Sequence, residues 1–177
     1  MVVLFRKKMY RRAEGVGMKI QTDGRFLYAG VIWTVIFAGI SFYWASGGMI
    51  GARSLGGSIY RLALHPPPGF TAMIWTTGVI KLFGALLLML LLIKWRNPAI
   101  RKVLYLITRF SGLLLFLYGL LNFTTISLSA AGFLNFALGE YATFWRLAFW
   151  EPLWMIGGIF YFFAVKKKSN RSLEAAD

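Results

Sequence analysis

Apolar residues in this chain are not scattered through a polar background. They fill four long runs, at about 26–45, 70–93, 103–128 and 147–165, separated by short polar, basic or glycine-rich stretches. A hydrocarbon core of roughly 30 Å takes about 20 helical residues to cross, at about 1.5 Å of rise per residue. Each run is long enough, so the pattern predicts four membrane-spanning helices. The expected fold class is all-α: an integral membrane four-helix bundle over 26–165, with N and C termini cytoplasmic. A basic N-terminal arm (1–25), read as flexible or lying on the membrane surface, and a short tail (166–177) flank it.

Within the runs a second pattern appears. Helices in lipid pack best where small residues recur three or four apart, because the backbones then approach closely. Such faces are Gly30, Thr34, Ala38, Ser41 and Ala45 in the first run, and Thr77, Gly78, Lys81, Gly84 and Ala85 in the second. The third run carries a polar stripe of Thr108, Ser111, Tyr118, Asn122, Thr125 and Ser129, and the fourth offers Glu151, Trp154 and Gly158. The loop between the second and third runs, Lys94 to Lys102, is short, which predicts an antiparallel hairpin of those two helices. The longer connection after the first run holds Gly47, Gly48, Gly51, Gly56 and Gly57, then Pro66, Pro67 and Pro68, a composition that suits a structured cap over the outer end.

Composition agrees with a lipid setting. Of 177 residues, 58% are hydrophobic, 18% aromatic and only 15% charged, more apolar surface than a soluble domain of this size could bury. With no cysteine and the single histidine His65, thiolate chemistry and a histidine-rich metal site are excluded, and no cofactor is expected. The opening apolar stretch, Met1 to Phe5, is cut short by Arg6, so the first long run is expected to be an uncleaved anchor.

The net charge of +14 could point to nucleic acid, but its distribution points to the membrane. Arg6, Lys7, Lys8, Arg11, Arg12, Lys19 and Arg25 precede the first run. Lys94, Arg96, Arg101 and Lys102 surround the middle loop, and Lys166, Lys167, Lys168 and Arg171 follow the last run. The other two connections hold only Arg53, Arg61 and Arg146. The positive-inside rule therefore puts both ends and the middle loop in the cytoplasm. The expected partners are membrane lipids, with anionic headgroups at the cytoplasmic face, and a second copy or another membrane protein; nucleic acid is not expected. Trp44, Trp75, Tyr141, Trp145 and Trp150 at one boundary and Trp95 and Tyr105 at the other suit interfacial belts.

Lys81 stands near the middle of the second run, where a charge costs roughly 2.5–3.5 kcal/mol to insert. It should face the bundle interior, and its long side chain can reach toward the outer boundary, near the level of Ser41, Asn122 and Glu151. These residues and Tyr118 form the candidate outward-opening polar cluster. Three readings follow: Lys81 and Glu151 form a structural ion pair, they belong to a small binding site, or they never meet because Pro152 starts the fourth helix and leaves Glu151 at the interface. Arg109 reads as an anchor that snorkels to the cytoplasmic surface. The glycine-rich outer loop with Arg53 and Arg61 could cradle a phosphate or carboxylate on backbone N–H groups, although P-loop and dinucleotide spacings are absent. His65, before three prolines, reads as an exposed loop residue.

The stretch Tyr43-Trp-Ala-Ser-Gly-Gly48 resembles the Tyr-Trp-Ala-x-Gly-Gly pattern of small bacterial four-span membrane proteins classified as domain of unknown function 3995. The glycine-bearing outer loop, the Gly132-Phe133 pair and Pro152 near the start of the last span are also similar, over about residues 26 to 165. Where that pattern often has a histidine this chain has Ser41, which removes the basis for histidine-dependent chemistry. The resemblance implies the four-span architecture and no reaction. The leading functional expectation is a non-enzymatic binding or accessory bundle that engages a partner protein or lipid-like ligand through the polar cluster. The alternatives are a small proton-coupled transporter or channel-like subunit using Lys81 and Glu151, and a lipid-modifying enzyme.

Overall fold

The computed structural model describes residues 20–135 and 138–167; the residues before 20 and after 167, and so most of the arm and tail, lie outside it. In chain order the elements are β1 (Ile20–Thr22), α1 (Gly24–Ala45), α2 (Ala52–Leu55), α3 (Gly57–Leu64), α4 (Phe70–Leu90), α5 (Pro98–Ala130), α6 (Glu140–Ala164) and β2 (Val165–Lys167). The four helices α1, α4, α5 and α6 are long and apolar enough to cross a membrane. The chain is an all-α membrane bundle.

Local chemistry sets where these helices begin. Asp23, in extended conformation, caps α1 by accepting the Arg25 N–H at 3.2 Å. Asn97 does the same for α5 through the Ala99 N–H at 2.8 Å, with Pro98 in the first helical turn, where its missing N–H costs nothing. The helix therefore starts ahead of Val103, inside the basic loop. The 33 residues of α5 make it about 50 Å long, more than a hydrocarbon core requires.

The helices form an open arc. α4 packs on α1, α1 on α6 and α6 on α5, while α4 and α5 hardly meet. The hairpin expected from their short connection is thus antiparallel in direction but does not pack closely. Lipid provides no hydrophobic force to drive two apolar helices together, so close packing goes to faces where backbones can approach. On the facing sides of α4 and α5 stand Ile80, Phe83, Leu87, Leu114 and Leu115, too bulky for close approach. At the α5–α6 crossing a Cβ on Gly112 would lie 2.5 Å from the Phe162 backbone nitrogen, and one on Gly158 would lie 2.5 Å from that of Phe116. Only glycine permits that crossing.

The buried face of α1 follows its small-residue stripe, with Gly30, Thr34, Ala38, Ser41 and Ala45 all buried beside Leu27, Trp33 and Phe37. α5 departs from expectation. Its seam is Thr108, Gly112, Gly119 and Ile126, and the polar residues Tyr118 and Asn122 flank it.

At one end α2 and α3 form a cap. Gly56, with φ of 63°, comes so close to Ala142 at the start of α6 that no side chain could be added. The Trp150 indole donates to the Ser54 hydroxyl at 2.8 Å, tying cap to α6. At the other end β1 and β2 pair antiparallel, Ile20 opposite Lys167 and Thr22 opposite Val165. The Asp23 N–H donates to the Ala164 carbonyl at 2.9 Å and Lys166 reaches the Asp23 carboxylate at 2.8 Å. Residues 20–23, within the arm read as flexible or lying on the membrane surface, form half of this clasp, and Gly24 and Arg25 open α1.

Candidate functional site

Between α4 and α5 the open arc leaves a lateral groove of about 560 Å³, floored by Trp33, Thr34, Trp154 and Tyr161 of α1 and α6. Its walls are apolar apart from Thr77, Lys81 and Ser111. In the floor the Thr34 and Tyr161 hydroxyls share a hydrogen bond of 2.9 Å, and Thr34 also donates to the Gly30 carbonyl at 2.6 Å. Trp33 donates to the Leu153 carbonyl at 3.1 Å. These bonds hold the Trp33 and Tyr161 rings of the floor in place.

Lys81, on α4, is half-buried. Its ammonium donates to Ser41 Oγ at 2.6 Å and more weakly to the Phe37 carbonyl at 3.5 Å. The charge also lies 5.1 Å from the Phe37 ring centroid and 5.7 Å from that of Trp154, within cation–π range. Ser41 stands about one turn from the last residue of α1, so the side chain climbs toward the cap end as anticipated. Among the described residues no carboxylate pairs with this ammonium.

Glu151 is engaged elsewhere. Arg146 donates to its Oε1 from Nε at 2.8 Å and from Nη2 at 2.5 Å, and the same Nη2 reaches Asn122 Oδ1 at 3.5 Å. The Lys81–Glu151 ion pair is therefore not formed. Glu151 is 2% exposed, and its second oxygen has no hydrogen-bond partner among the described residues.

The geometry of α6 explains this pairing. Pro152 has no N–H and its ring would collide with the carbonyl four residues back, at Ala148. The turn before it is widened into a π segment, Arg146–Trp150, in which the Glu151 N–H donates to the Arg146 carbonyl. Five-residue spacing then brings the two side chains to one face. Pro152 lies inside the helix and does not start it, so Glu151 is well within α6.

The five residues of the expected polar cluster consequently divide. Lys81 and Ser41 form one centre; Glu151, Asn122 and Arg146 form another. Tyr118, half exposed, packs edge-on against Trp154 at 5.3 Å, and its backbone carbonyl accepts from the Asn122 side chain at 2.8 Å. Trp154 also meets Phe37 at 5.0 Å and thus separates the two centres with an aromatic wall. Arg53 lies 5.0 Å over the Tyr141 ring, Arg61 is exposed on α3, and neither is ion-paired among the described residues. His65 is exposed at the end of α3. Arg109 donates to the Tyr105 hydroxyl at 3.0 Å and stacks on Phe162 at 4.0 Å, directed one turn toward the clasp.

Arg146 was the residue missed. Read as part of a loop, it had no face to share with Glu151; a lone arginine five positions before an in-span acid, with proline next, was the available signal. No group of three or more metal-ligating side chains occurs among the described residues.

The fold and this site define a four-helix membrane protein with an off-centre polar interior. The family model described as protein of unknown function DUF3995 matches residues 34–161, and the chain belongs to that family. No curated protein and no solved structure matches it.

Proposed function

We propose that this protein is a non-enzymatic binding bundle of the plasma membrane, with both ends cytoplasmic, that holds one anionic, chain-bearing amphiphile in the α4–α5 groove. The carrying observation is Lys81: a cation without an acidic partner among the described residues, on the wall of an apolar groove open toward lipid. A central charge costs roughly 2.5–3.5 kcal/mol in a bilayer, and an anionic headgroup beside it offsets that cost. A volume near 560 Å³ lies in the range of small-molecule sites, about 300–1,000 Å³. The orientation rests on basic residues at the clasp end, where Arg25, Lys94, Arg96, Arg101, Lys102, Lys166 and Lys167 gather.

A proton-coupled transporter working through Lys81 and Glu151 draws less support, because Ser41 holds one and Arg146 the other. Native mass spectrometry of the detergent-extracted protein provides the test. Wild-type protein should retain an anionic lipid or lipid-like adduct at this groove, and Lys81→Met should carry one such adduct fewer while melting at the same temperature or higher. Equal adducts on both proteins would sink the proposal.

A further inference from the structure

At the clasp end, separate from the groove, lies a pocket of about 460 Å³ bounded by Ile20 and Thr22 of β1, the Leu91–Trp95 turn after α4, and Arg101 and Leu104 of α5. We infer that this pocket binds the phosphate headgroup of an anionic phospholipid through Lys94 and Arg101.

Both cations are available. Arg101 spends one N–H on the Ile20 carbonyl at 3.4 Å, and Lys94 is exposed. Neither forms an ion pair among the described residues, and Asp23, the acid at this end among them, is taken by Lys166. Carbonyls at the end of α4, which would otherwise compete for Lys94, already have donors. The Trp95 indole serves Leu90 at 2.9 Å, and the Leu91 and Leu92 N–H groups serve Leu88 and Met89. Arg101 stands in the first turns of α5, the positive end of that helix dipole, which adds to the attraction for an anion.

The choice of a lipid over a free anion rests on the other wall. Leu92 and Ile93 are exposed and continue the lipid-facing surface of α4, so an acyl chain can leave the pocket without crossing water. Trp95 lies at the level where indoles settle in a bilayer interface.

The full-length protein in nanodiscs of mixed phosphatidylglycerol and phosphatidylcholine tests this by native mass spectrometry. Wild type should retain phosphatidylglycerol in preference, and K94Q/R101Q should hold one such lipid fewer, with affinity at this pocket about thirty-fold lower, at about 1 kcal/mol per interfacial cation. K81M should keep this preference, which separates the pocket from the groove. Equal retention by wild type and K94Q/R101Q, or no headgroup preference in wild type, would overturn the inference. If the double variant does not fold, a thermal-shift titration of wild type replaces it: short-chain phosphatidylglycerol should raise the melting temperature and phosphatidylcholine should not. A shift produced by inorganic phosphate alone, with none from the lipid, would assign the pocket to a soluble anion and overturn the lipid reading.

Discussion

Glu151 is almost wholly buried, and what keeps it tolerable is two short hydrogen bonds from one arginine. Removing only one member of such a pair leaves the other charge without a counter-ion, which costs more than the pair itself contributes. Arg146→Gln should therefore destabilise the protein by about 3 kcal/mol, and the double variant Arg146→Gln/Glu151→Gln by clearly less. Unfolding by denaturing detergent in mixed micelles checks this; equal losses would mean that the charges do not depend on each other. Lys81 and Ser41 differ in kind. Their meeting could be foreseen from depth alone, because a lysine at mid-helix must climb and Ser41 lies on its way. Arg146 could not be foreseen, because its partner depends on a widened helical turn.

That turn belongs to α6 as an element. Proline inside a helix usually reads as a boundary, and here the helix continues through it by lengthening the turn before it. The α5–α6 seam shows the same dependence on backbone. Gly112 and Gly158 face each other's helix so closely that even one methyl group meets main-chain atoms, which cannot rotate away. Gly158→Ala should cost roughly 1–3 kcal/mol, and Gly158→Leu should prevent the helices from closing. By contrast Gly39, whose added methyl meets nothing within 4 Å, should accept alanine without loss. Thermal unfolding of the three variants in one detergent gives the comparison, and a stable Gly158→Leu protein would refute the close crossing. α4 is the converse case: it is bulky toward α5, so the two remain apart and a groove opens.

For the whole molecule, the clasp between β1 and β2 brings the segments flanking the bundle to one end. Lys166 beside Asp23 holds that carboxyl below its ordinary value of 3.8, chiefly by hydrogen bonding. A carboxyl with a depressed folded-state pKa favours the folded form fully above the ordinary value, and the contribution disappears as pH falls through the lower one. The pair is exposed, so the effect should be local. Protection of the Ile20–Thr22 and Val165–Lys167 amides, relative to their intrinsic exchange rate at each pH, should fall below about pH 3.8 in wild type, while Asp23→Asn should be weakly protected at every pH. Unchanged exchange in Asp23→Asn would remove the ion pair from the account of the clasp. Four apolar runs, basic flanks and small-residue faces were sufficient, from the sequence, to determine the membrane bundle, because length against bilayer thickness and the cost of charge in lipid are properties of composition and order. Helix neighbours, the division of the polar cluster into two centres and both pockets were decided only in three dimensions. Which helices touch depends on how closely their backbones can approach, and a one-residue change in the length of a turn selects which charges share a face.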